Sequence, residues 1–236
     1  MRFLVTAGNT QTLIDRVRCL TNIFSGRTGG RIALAAHARG HTVSLLTSHP
    51  ESVPVPAPSA TWKLTAYKTF EDLEDLLKPE IQQGSYDVIV HAAAVSDFAR
   101  AGIFVPAPGT HFDPESATWS ASAGSPHLVD VIAGKVKSKH GELWLRLTPT
   151  PKLVDQMRTP WGFRGVLVKF KLEVDTGDEQ LLEVAERSRL ESRADWMVAN
   201  TLEGMQEWAF VGPVNGAYEK VLRADLADRL LDLLGA

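Results

Sequence analysis

Near its N-terminus the chain combines the residue types that bind a phosphate group. An apolar segment at residues 2–7 ends in Gly8, and after a long polar loop the sequence SGRTGG at residues 25–30 opens an alanine-rich segment. Glycines let backbone N–H groups approach an anion, and an arginine can donate two parallel hydrogen bonds to phosphate. The free N–H groups and the dipole at a helix start favour the same ligand. The residues predicted to contact phosphate are Ser25, Gly26, Arg27, Gly29 and Gly30, and Gly8 is a further candidate for ligand binding.

The same residues have simpler interpretations. The glycines could merely allow a helix to pack tightly on a strand. Asn22, which precedes the turn, has a carboxamide that can donate and accept hydrogen bonds, as an acyl-phosphate ester would require, but it could equally cap the loop. The loop at residues 9–25 is long for a strand-to-helix connection, and long loops at this place tend to bind something.

The hydrophobic pattern predicts the elements that position this turn. Residues 2–7 and 41–47 predict buried strands, and residues 27–39 predict a helix that stops at Gly40, so the chain opens as a right-handed β-α-β unit. Residues 70–83 have helical spacing, and Pro79 is expected to kink or end that helix. The other predicted elements are strands at 61–67, 87–94, 165–172 and 196–200, helices at 150–157, 178–192 and 224–234, and hairpins at 135–147 and 207–222.

These elements predict a Rossmann-like, three-layer α/β fold with a mainly parallel sheet, formed by a single domain over residues 1–236. Residues 99–147 are rich in Pro, Gly, Ser and small residues in their first part, and we expect them to project as a loop and β-hairpin region. Asp178 is expected to cap the helix at 178–192.

Ligands of open parallel sheets bind at the carboxyl ends of the strands, which singles out a second group of residues. The candidates by position are Ala93, Ala94, Asp97, Phe170, Lys171 and Asn200. Asp97 could instead cap a helix, and a phenylalanine in a strand is more often part of the core. Asn200 could simply satisfy backbone groups.

The composition excludes several classes of protein. Of 236 residues, 44% are hydrophobic and 22% are charged, and the net charge of −3 without a basic block gives no sign of a nucleic-acid partner. No apolar run has the length of a membrane helix, so we expect a cytoplasmic protein. The histidines lack zinc-site spacing, so no metal site in the protein is expected. Cys19 is the only cysteine and is expected to be buried or half-buried.

Several separated motifs together resemble the phosphopantothenate–cysteine ligase family, also called phosphopantothenoylcysteine synthetase, of coenzyme A synthesis. They occur in the family's order over most of the chain. The motifs are TAGNT at 6–10, IDRVR at 14–18, NIFSGRTG at 22–29, AAAVSDF at 92–98, KVKS at 135–138, FKLE at 170–173 and AN at 199–200. Two positions depart from the family pattern, since Asn9 replaces a glycine and Phe24 replaces a serine. The chain looks like the single-function form, without the flavin decarboxylase domain of many bacterial relatives.

The resemblance implies a reaction and a set of roles. The family couples 4′-phosphopantothenate to cysteine through an acyl-nucleotidylate, with ATP or CTP as co-substrate and with Mg²⁺ carried by the triphosphate. By resemblance, Asn22 contacts the acyl intermediate and Lys135 stabilises charge at the α-phosphate, with Lys137 as the alternative cation. A homodimer is also implied. The residues assigned to the nucleotide are Ala93 and Ala94 as space for the base, Asp97 for the ribose or base, and Phe170, Lys171 and Arg187 beside them.

Two other functions stay open at this point. The opening β-α-β pattern could belong to an NAD(P)-dependent reductase, although Gly8 is followed by NTQT and no acidic residue ends the strand at 41–47. The chain could also be a non-catalytic nucleotide-binding homologue, for which Asn9 and Phe24 are the support.

Overall fold

A computed structural model describes residues 1–54, 56, 59–131 and 140–236. The strands are β1 (Arg2–Ala7), β2 (Gln11–Leu13), β3 (Cys19–Thr21), β4 (Thr42–Thr47), β5 (Trp62–Ala66), β6 (Val88–His91), β7 (Phe98–Pro106), β8 (Thr110–Asp113), β9 (Thr118–Ala121), β10 (Leu128–Asp130), β11 (Trp144–Pro149), β12 (Val166–Glu173), β13 (Trp196–Thr201), β14 (Trp208–Val214) and β15 (Ala217–Leu222). The α-helices are α1 (Arg27–Ala38), α2 (Phe70–Gln83), α3 (Leu153–Arg158), α4 (Asp178–Glu191) and α5 (Leu226–Leu233).

An eight-stranded sheet in the order β15-β14-β13-β12-β6-β1-β4-β5 forms the centre of the first of two compact units, which comprises residues 1–10, 22–95 and 152–236. The pairs from β13 through to β5 are parallel, and β14 and β15 add an antiparallel hairpin at one edge. The chain leaves β1 towards β4 on one side and later fills β6 on the other side. The strand order therefore reverses between β1 and β6, which is where open α/β sheets bind ligands.

The helices form one layer on each face of the sheet, and alternating strand residues point to the two faces. On one face the sheet packs against Ile32, Ala33 and Ala36 of α1 and against Leu226, Leu230 and Leu231 of α5. On the other face it packs against α2 and α3 through residues such as Leu4, Ile89 and Leu167. Helix α4 lies on this second face too, because it contacts Met197 and Ala199, whose neighbour Val198 points to the first. The predicted three-layer α/β fold is confirmed.

One predicted helix cap is wrong, and the bounds predicted for the helix at residues 70–83 are confirmed. Gly177, not Asp178, occupies the N-cap of α4; Asp178 is the first helical residue, and its carboxylate accepts a 2.9 Å hydrogen bond from Lys220. Pro79 does not end α2, which continues to Gln83. A capping box between Thr69 and Asp72 fixes the start of α2, and core residues on both sides of the proline hold the two halves in place.

The second compact unit comprises residues 11–21 and 96–151. Its described residues form a three-stranded antiparallel sheet in the order β10-β7-β11 and the hairpins β2-β3 and β8-β9. The strands β7 to β9 lie where the sequence predicted only a loop excursion, because their polar and small residues lack a clear apolar alternation. Cys19, in β3, is exposed, so the prediction of a buried or half-buried cysteine is wrong.

The hairpin predicted at residues 135–147 falls partly outside the described residues, and so do Lys135 and Lys137. The part that is described ends in β11, which pairs with β7. The single domain predicted over residues 1–236 stays a prediction.

A buried polar group lies under the second face of the sheet, close to the end of β6. His91 is 7% exposed, and its Nδ1 lies 2.9 Å from Thr6 Oγ1. Lys169, which pairs with His91 in the sheet register, is 8% exposed and donates to Ser188 O at 3.0 Å and to the Ser192 hydroxyl. Burial first, and then the charge of Lys169, lower the pKa of His91 from 6.5 to about 4.

This buried histidine predicts acid sensitivity. The unfolded chain binds the proton near pH 6.5 and the folded chain only near pH 4, so this contribution to stability is complete above pH 6.5 and is lost as the pH falls. The depression corresponds to about 3 kcal/mol by pH 4. Urea unfolding of wild type between pH 7 and pH 4 should show this loss, and His91→Gln should remove most of it. His111→Gln, at an exposed position, is the control and should keep the wild-type pH dependence. Equal pH dependence in all three proteins would contradict the prediction.

Candidate functional site

The turn at the start of α1 presents backbone donors with no partner inside the helix. Gly26 is the N-cap residue with a φ of 77°, and no side chain caps the helix. The carbonyl of Gly26 accepts the first helical hydrogen bond, from Gly30 N at 3.0 Å, and the first turn contains no acidic residue. The N–H groups of a first helical turn lack intrahelical partners and favour an anion. The free helix start expected from the sequence is therefore present, and phosphate binding at this turn stays a prediction.

The glycines of this turn also allow α1 to pack tightly on β1. A Cβ atom on Gly26 would lie 2.3 Å from Gly8 N, and one on Gly29 would lie 2.8 Å from Ala7 Cβ and 2.9 Å from Thr6 O. Only residues without a side chain let α1 approach the end of β1 so closely. Tight packing is therefore what brings the first turn of α1 to the end of the strand, and the two interpretations describe one arrangement.

Asn9 and Asn22 fix the loop that precedes this turn. The Asn9 side-chain amide donates to Asn22 O at 2.5 Å, and the Asn22 side-chain amide donates to Ala94 O at 3.1 Å. Asn9 is 4% exposed and is held at its other end, because its backbone N–H donates to Ser48 Oγ at 2.9 Å and its Oδ1 accepts from that hydroxyl at 3.1 Å. The departure from the family pattern at Asn9 is thus a buried tie between β1, β4 and the loop.

A cavity of about 450 Å³ opens at this edge of the sheet, within the size range of small-molecule sites. Its walls come from the starts of α1 and α5 and from the carboxyl ends of β1, β6, β12 and β13. Most of the predicted phosphate and nucleotide residues meet here: Gly8, Ser25, Gly26, Arg27, Gly29, Ala93, Ala94, Phe170 and Lys171 all line it. Asn200 and Phe24 line it as well.

Four predicted residues that the structure describes do not line the cavity. Gly30 is one of them, and its N–H donates within α1 to Gly26 O. Asn22 lies one hydrogen bond away, through the carbonyl of the lining residue Ala94. Arg187 is exposed on α4, on the opposite face of the sheet from α1, and its guanidinium is 3.9 Å from Glu183. Asp97 belongs to the second unit, where its carbonyl accepts from Thr150 N at 2.9 Å. Lys135 lies outside the described residues. The roles assigned to these residues stay predictions.

The charges around the cavity have one sign. Its basic residues are Arg27, Arg31, Lys171 and Arg223, and among the described residues that line it none is acidic. Lys171 is partly neutralised by Glu173, which lies 2.9 Å away and does not line the cavity. A wall with cations and without carboxylates is suited to an anionic ligand and is a poor place for a protein-held divalent cation.

Sequence reasoning missed several residues that build this site. Arg223, Arg31, Met205 and Gln206 line the cavity but belong to no predicted motif. Arg223 is separated by 195 residues from Thr28, which its guanidinium contacts. The only sign of Arg223 in the sequence was its position between a predicted hairpin and the last predicted helix.

Within the described residues, no group of three His, Cys, Asp or Glu side chains is arranged to hold a metal ion. In the same part of the chain, no helix has the length and apolar character to span a membrane.

Residues 1–104 match the model of a family described as the DNA/pantothenate metabolism flavoprotein C-terminal domain. The chain is 31% identical to the coenzyme A biosynthesis bifunctional protein CoaBC of Thermococcus kodakarensis, over 98% of this chain and 50% of that one, so it spans half the length of this relative. It is 26% identical to the phosphopantothenate–cysteine ligase of Homo sapiens, over 88% of this chain and 74% of the relative. The solved structure of the DNA/pantothenate metabolism flavoprotein from Streptococcus pneumoniae superposes with a TM-score of 0.78 at 26% identity, covering 100% of this chain and 98% of that one.

Proposed function

Because residues 1–104 match the model of the DNA/pantothenate metabolism flavoprotein C-terminal domain and the chain is similar to CoaBC proteins and to a phosphopantothenate–cysteine ligase, we propose that it ligates 4′-phosphopantothenate to cysteine, using a nucleoside triphosphate. The observation that carries the proposal is the cavity at the reversal point of the sheet. It joins an uncapped helix start to basic residues, and its described lining contains no carboxylate. Both phosphorylated substrates of this reaction are anions, and one of them is a polyphosphate. Such ligands match the sign of the charge and the backbone donors of the cavity.

The proposed chemistry has two steps that balance. A carboxylate oxygen of 4′-phosphopantothenate attacks the α-phosphorus of the triphosphate, and pyrophosphate leaves. The amine of cysteine then attacks the acyl carbon, the nucleoside monophosphate leaves, and a proton from the amine is released. Both steps need charge stabilisation at phosphate and the exclusion of water from a reactive mixed anhydride.

We assign different parts of this reaction to different residues around the cavity. In the proposal, the first turn of α1 and Arg27 bind phosphate oxygens, while Ala93 and Ala94 leave room for a flat base beside Phe170. Asn22 orients the acyl-phosphate ester from the loop that its amide ties to Ala94. Lys135 supplies the charge at the α-phosphate by family resemblance. Mg²⁺ is expected to be held by the triphosphate oxygens, since the described lining offers no carboxylate.

Two finer points are part of the same proposal. The base can be adenine or cytosine, so the co-substrate is ATP or CTP. A homodimer is proposed from the family resemblance, with residues 99–147 as the contributing region.

A ligation assay tests the function. Purified protein is incubated with 4′-phosphopantothenate, cysteine, Mg²⁺ and either ATP or CTP, and 4′-phosphopantothenoylcysteine is measured by mass spectrometry. We expect product with at least one of the two nucleotides. Thermal shifts with ATP, CTP and NADPH form the control, and we expect a shift with the preferred triphosphate and none with NADPH. A shift with NADPH alone, together with no ligation product, would support the reductase instead.

A further inference from the structure

Arg223 occupies a distinctive place at the edge of the cavity. It follows β15 and precedes α5, and its backbone N–H donates to Glu207 O at 2.8 Å. Its guanidinium reaches into the first turn of α1, where it donates to the Thr28 hydroxyl. The side chain is half-buried and lines the cavity. A residue near the C-terminus thus places a positive charge beside the backbone donors of the helix start.

The charge of Arg223 has no carboxylate partner among the described residues. Within the described part of the chain, no carboxylate forms an ion pair with Arg223 or with Arg31, the second arginine at this wall. Burial first, and then the like charge of Arg31, lower the pKa of the Arg223 guanidinium. Two cations that face one cavity without a carboxylate repel each other until an anion lies between them.

Arg39 is a useful comparison, because it is an arginine with a structural role. Arg39, at the other end of α1, also connects α1 to α5. Its guanidinium is 2.9 Å from an Asp228 oxygen and 2.7 Å from an Asp232 oxygen, and it donates to Ala236 O at 2.8 Å. Arg39 is therefore neutralised by carboxylates, whereas Arg223 contacts a neutral hydroxyl.

We propose that Arg223, together with Arg31, binds a phosphoryl group of a substrate against the first turn of α1. A planar guanidinium can donate two parallel hydrogen bonds to phosphate, and the second arginine adds charge. The phosphoryl group can come from the nucleotide polyphosphate or from the phosphomonoester of 4′-phosphopantothenate. The inference rests on the proposed function only in taking this cavity as the substrate site.

Calorimetric binding tests the inference without requiring turnover. The probes are pyrophosphate, ATP, CTP, 4′-phosphopantothenate and unphosphorylated pantothenate. We expect Arg223→Gln to raise the Kd of one class of phosphorylated probe by about 10- to 100-fold, the usual effect of losing a charge-assisted hydrogen bond. A loss confined to pyrophosphate, ATP and CTP assigns the nucleotide, and a loss confined to 4′-phosphopantothenate assigns the phosphomonoester. Binding of pantothenate should not change.

Two further variants separate ligand binding from a structural role. Arg39→Gln removes an equally charged link between α1 and α5 outside the cavity, so it should lower the melting temperature but leave every Kd unchanged. Arg31→Gln, at an exposed side chain, keeps the test valid if Arg223→Gln does not fold, and it should weaken the same probe. Arg223→Lys should restore part of the affinity.

The inference is overturned if Arg223→Gln folds and binds all phosphorylated probes as wild type does, or if wild type binds none of them. It is also overturned if Arg223→Gln does not fold and Arg31→Gln binds every probe normally. Phosphate binding that depends on Arg223 in a protein that forms no ligation product would support the inference and refute the proposed function.

Discussion

Replacing Gly26 by alanine should destabilise the protein and remove triphosphate binding. Gly26 has a φ of 77°, and an added Cβ would lie 2.3 Å from the backbone nitrogen of Gly8. The left-handed conformation and the steric conflict together should cost about 2–5 kcal/mol of the free energy of unfolding. The first turn of α1 must move away from β1 to relieve the conflict, and the backbone donors then no longer face the cavity. Urea unfolding and nucleotide thermal shifts measure the two effects.

The matched control is Gly40→Ala, at the other end of the same helix. Gly40 has a φ of 86°, but nothing lies within 4 Å of its added Cβ. This variant should therefore lose only the cost of the left-handed backbone, about 1–2 kcal/mol, and should bind nucleotide normally. Equal destabilisation of the two variants, with nucleotide binding kept in Gly26→Ala, would show that close packing at the start of α1 does not build the site.

Asn22→Asp should lower the rate of ligation by about 100-fold or more, as expected when a substrate-orienting donor is lost and an opposing charge is added. The Asn22 amide donates to Ala94 O at 3.1 Å, and an aspartate side chain can only accept, so two oxygens would face each other. The new negative charge would also lie beside a cavity whose charged lining residues, among those described, are all basic, and it would repel phosphate. Steady-state kinetics should show a lower kcat and a higher KM for the phosphorylated substrates.

Two controls separate these effects. Asn22→Ala removes the same donor without adding charge, so the affinity for triphosphate should fall in the order wild type, alanine variant, aspartate variant. Asn215→Asp makes the same chemical change in the β14-β15 turn, where Asn215 has a φ of 48° and aspartate is tolerated, and it should be neutral. An Asn22→Asp protein with wild-type kinetics would remove Asn22 from the mechanism.

The parts of the fold that the sequence predicts well are those with a strong local pattern. The short apolar runs of β1, β4 and β12 favour buried strands, and their order with the intervening helices predicts the parallel sheet. The turn at residues 25–30 was recognisable because glycine, arginine and a helix start coincide in a few positions. Such features are decided by neighbouring residues, so one sequence is enough to find them.

The contacts that the sequence could not predict join distant positions. The hydroxyl of Tyr67 donates to Ala7 O at 2.7 Å and holds the end of β1, but a tyrosine between a strand and a helix gives no sign of this. Arg223 reaches Thr28 across nearly the whole chain. Arg187 lies on the exposed face of α4. Helical periodicity indicates which residues of a helix are exposed, but it does not indicate whether an exposed residue faces a ligand.

Phe24 shows another limit of prediction from the sequence. The family pattern has a serine here, and the phenylalanine lines the cavity beside Ile23, which is 81% exposed. An aromatic side chain in this wall adds apolar surface next to the turn at the start of α1. In the proposed function, the contact partner of that surface is the ligand, which a sequence does not contain.

The measurement that tests the proposed chemistry most directly is the identity of the phosphorus products. Wild type is incubated with 4′-phosphopantothenate, cysteine, Mg²⁺ and the preferred triphosphate, and the reaction is followed by ³¹P NMR alongside mass spectrometry. We expect pyrophosphate and nucleoside monophosphate to accumulate in equal amounts with 4′-phosphopantothenoylcysteine, and a phosphopantothenoyl nucleotide to form when cysteine is omitted. Nucleoside diphosphate with inorganic phosphate, or no product with either triphosphate, would contradict the proposed acyl-nucleotidylate ligase.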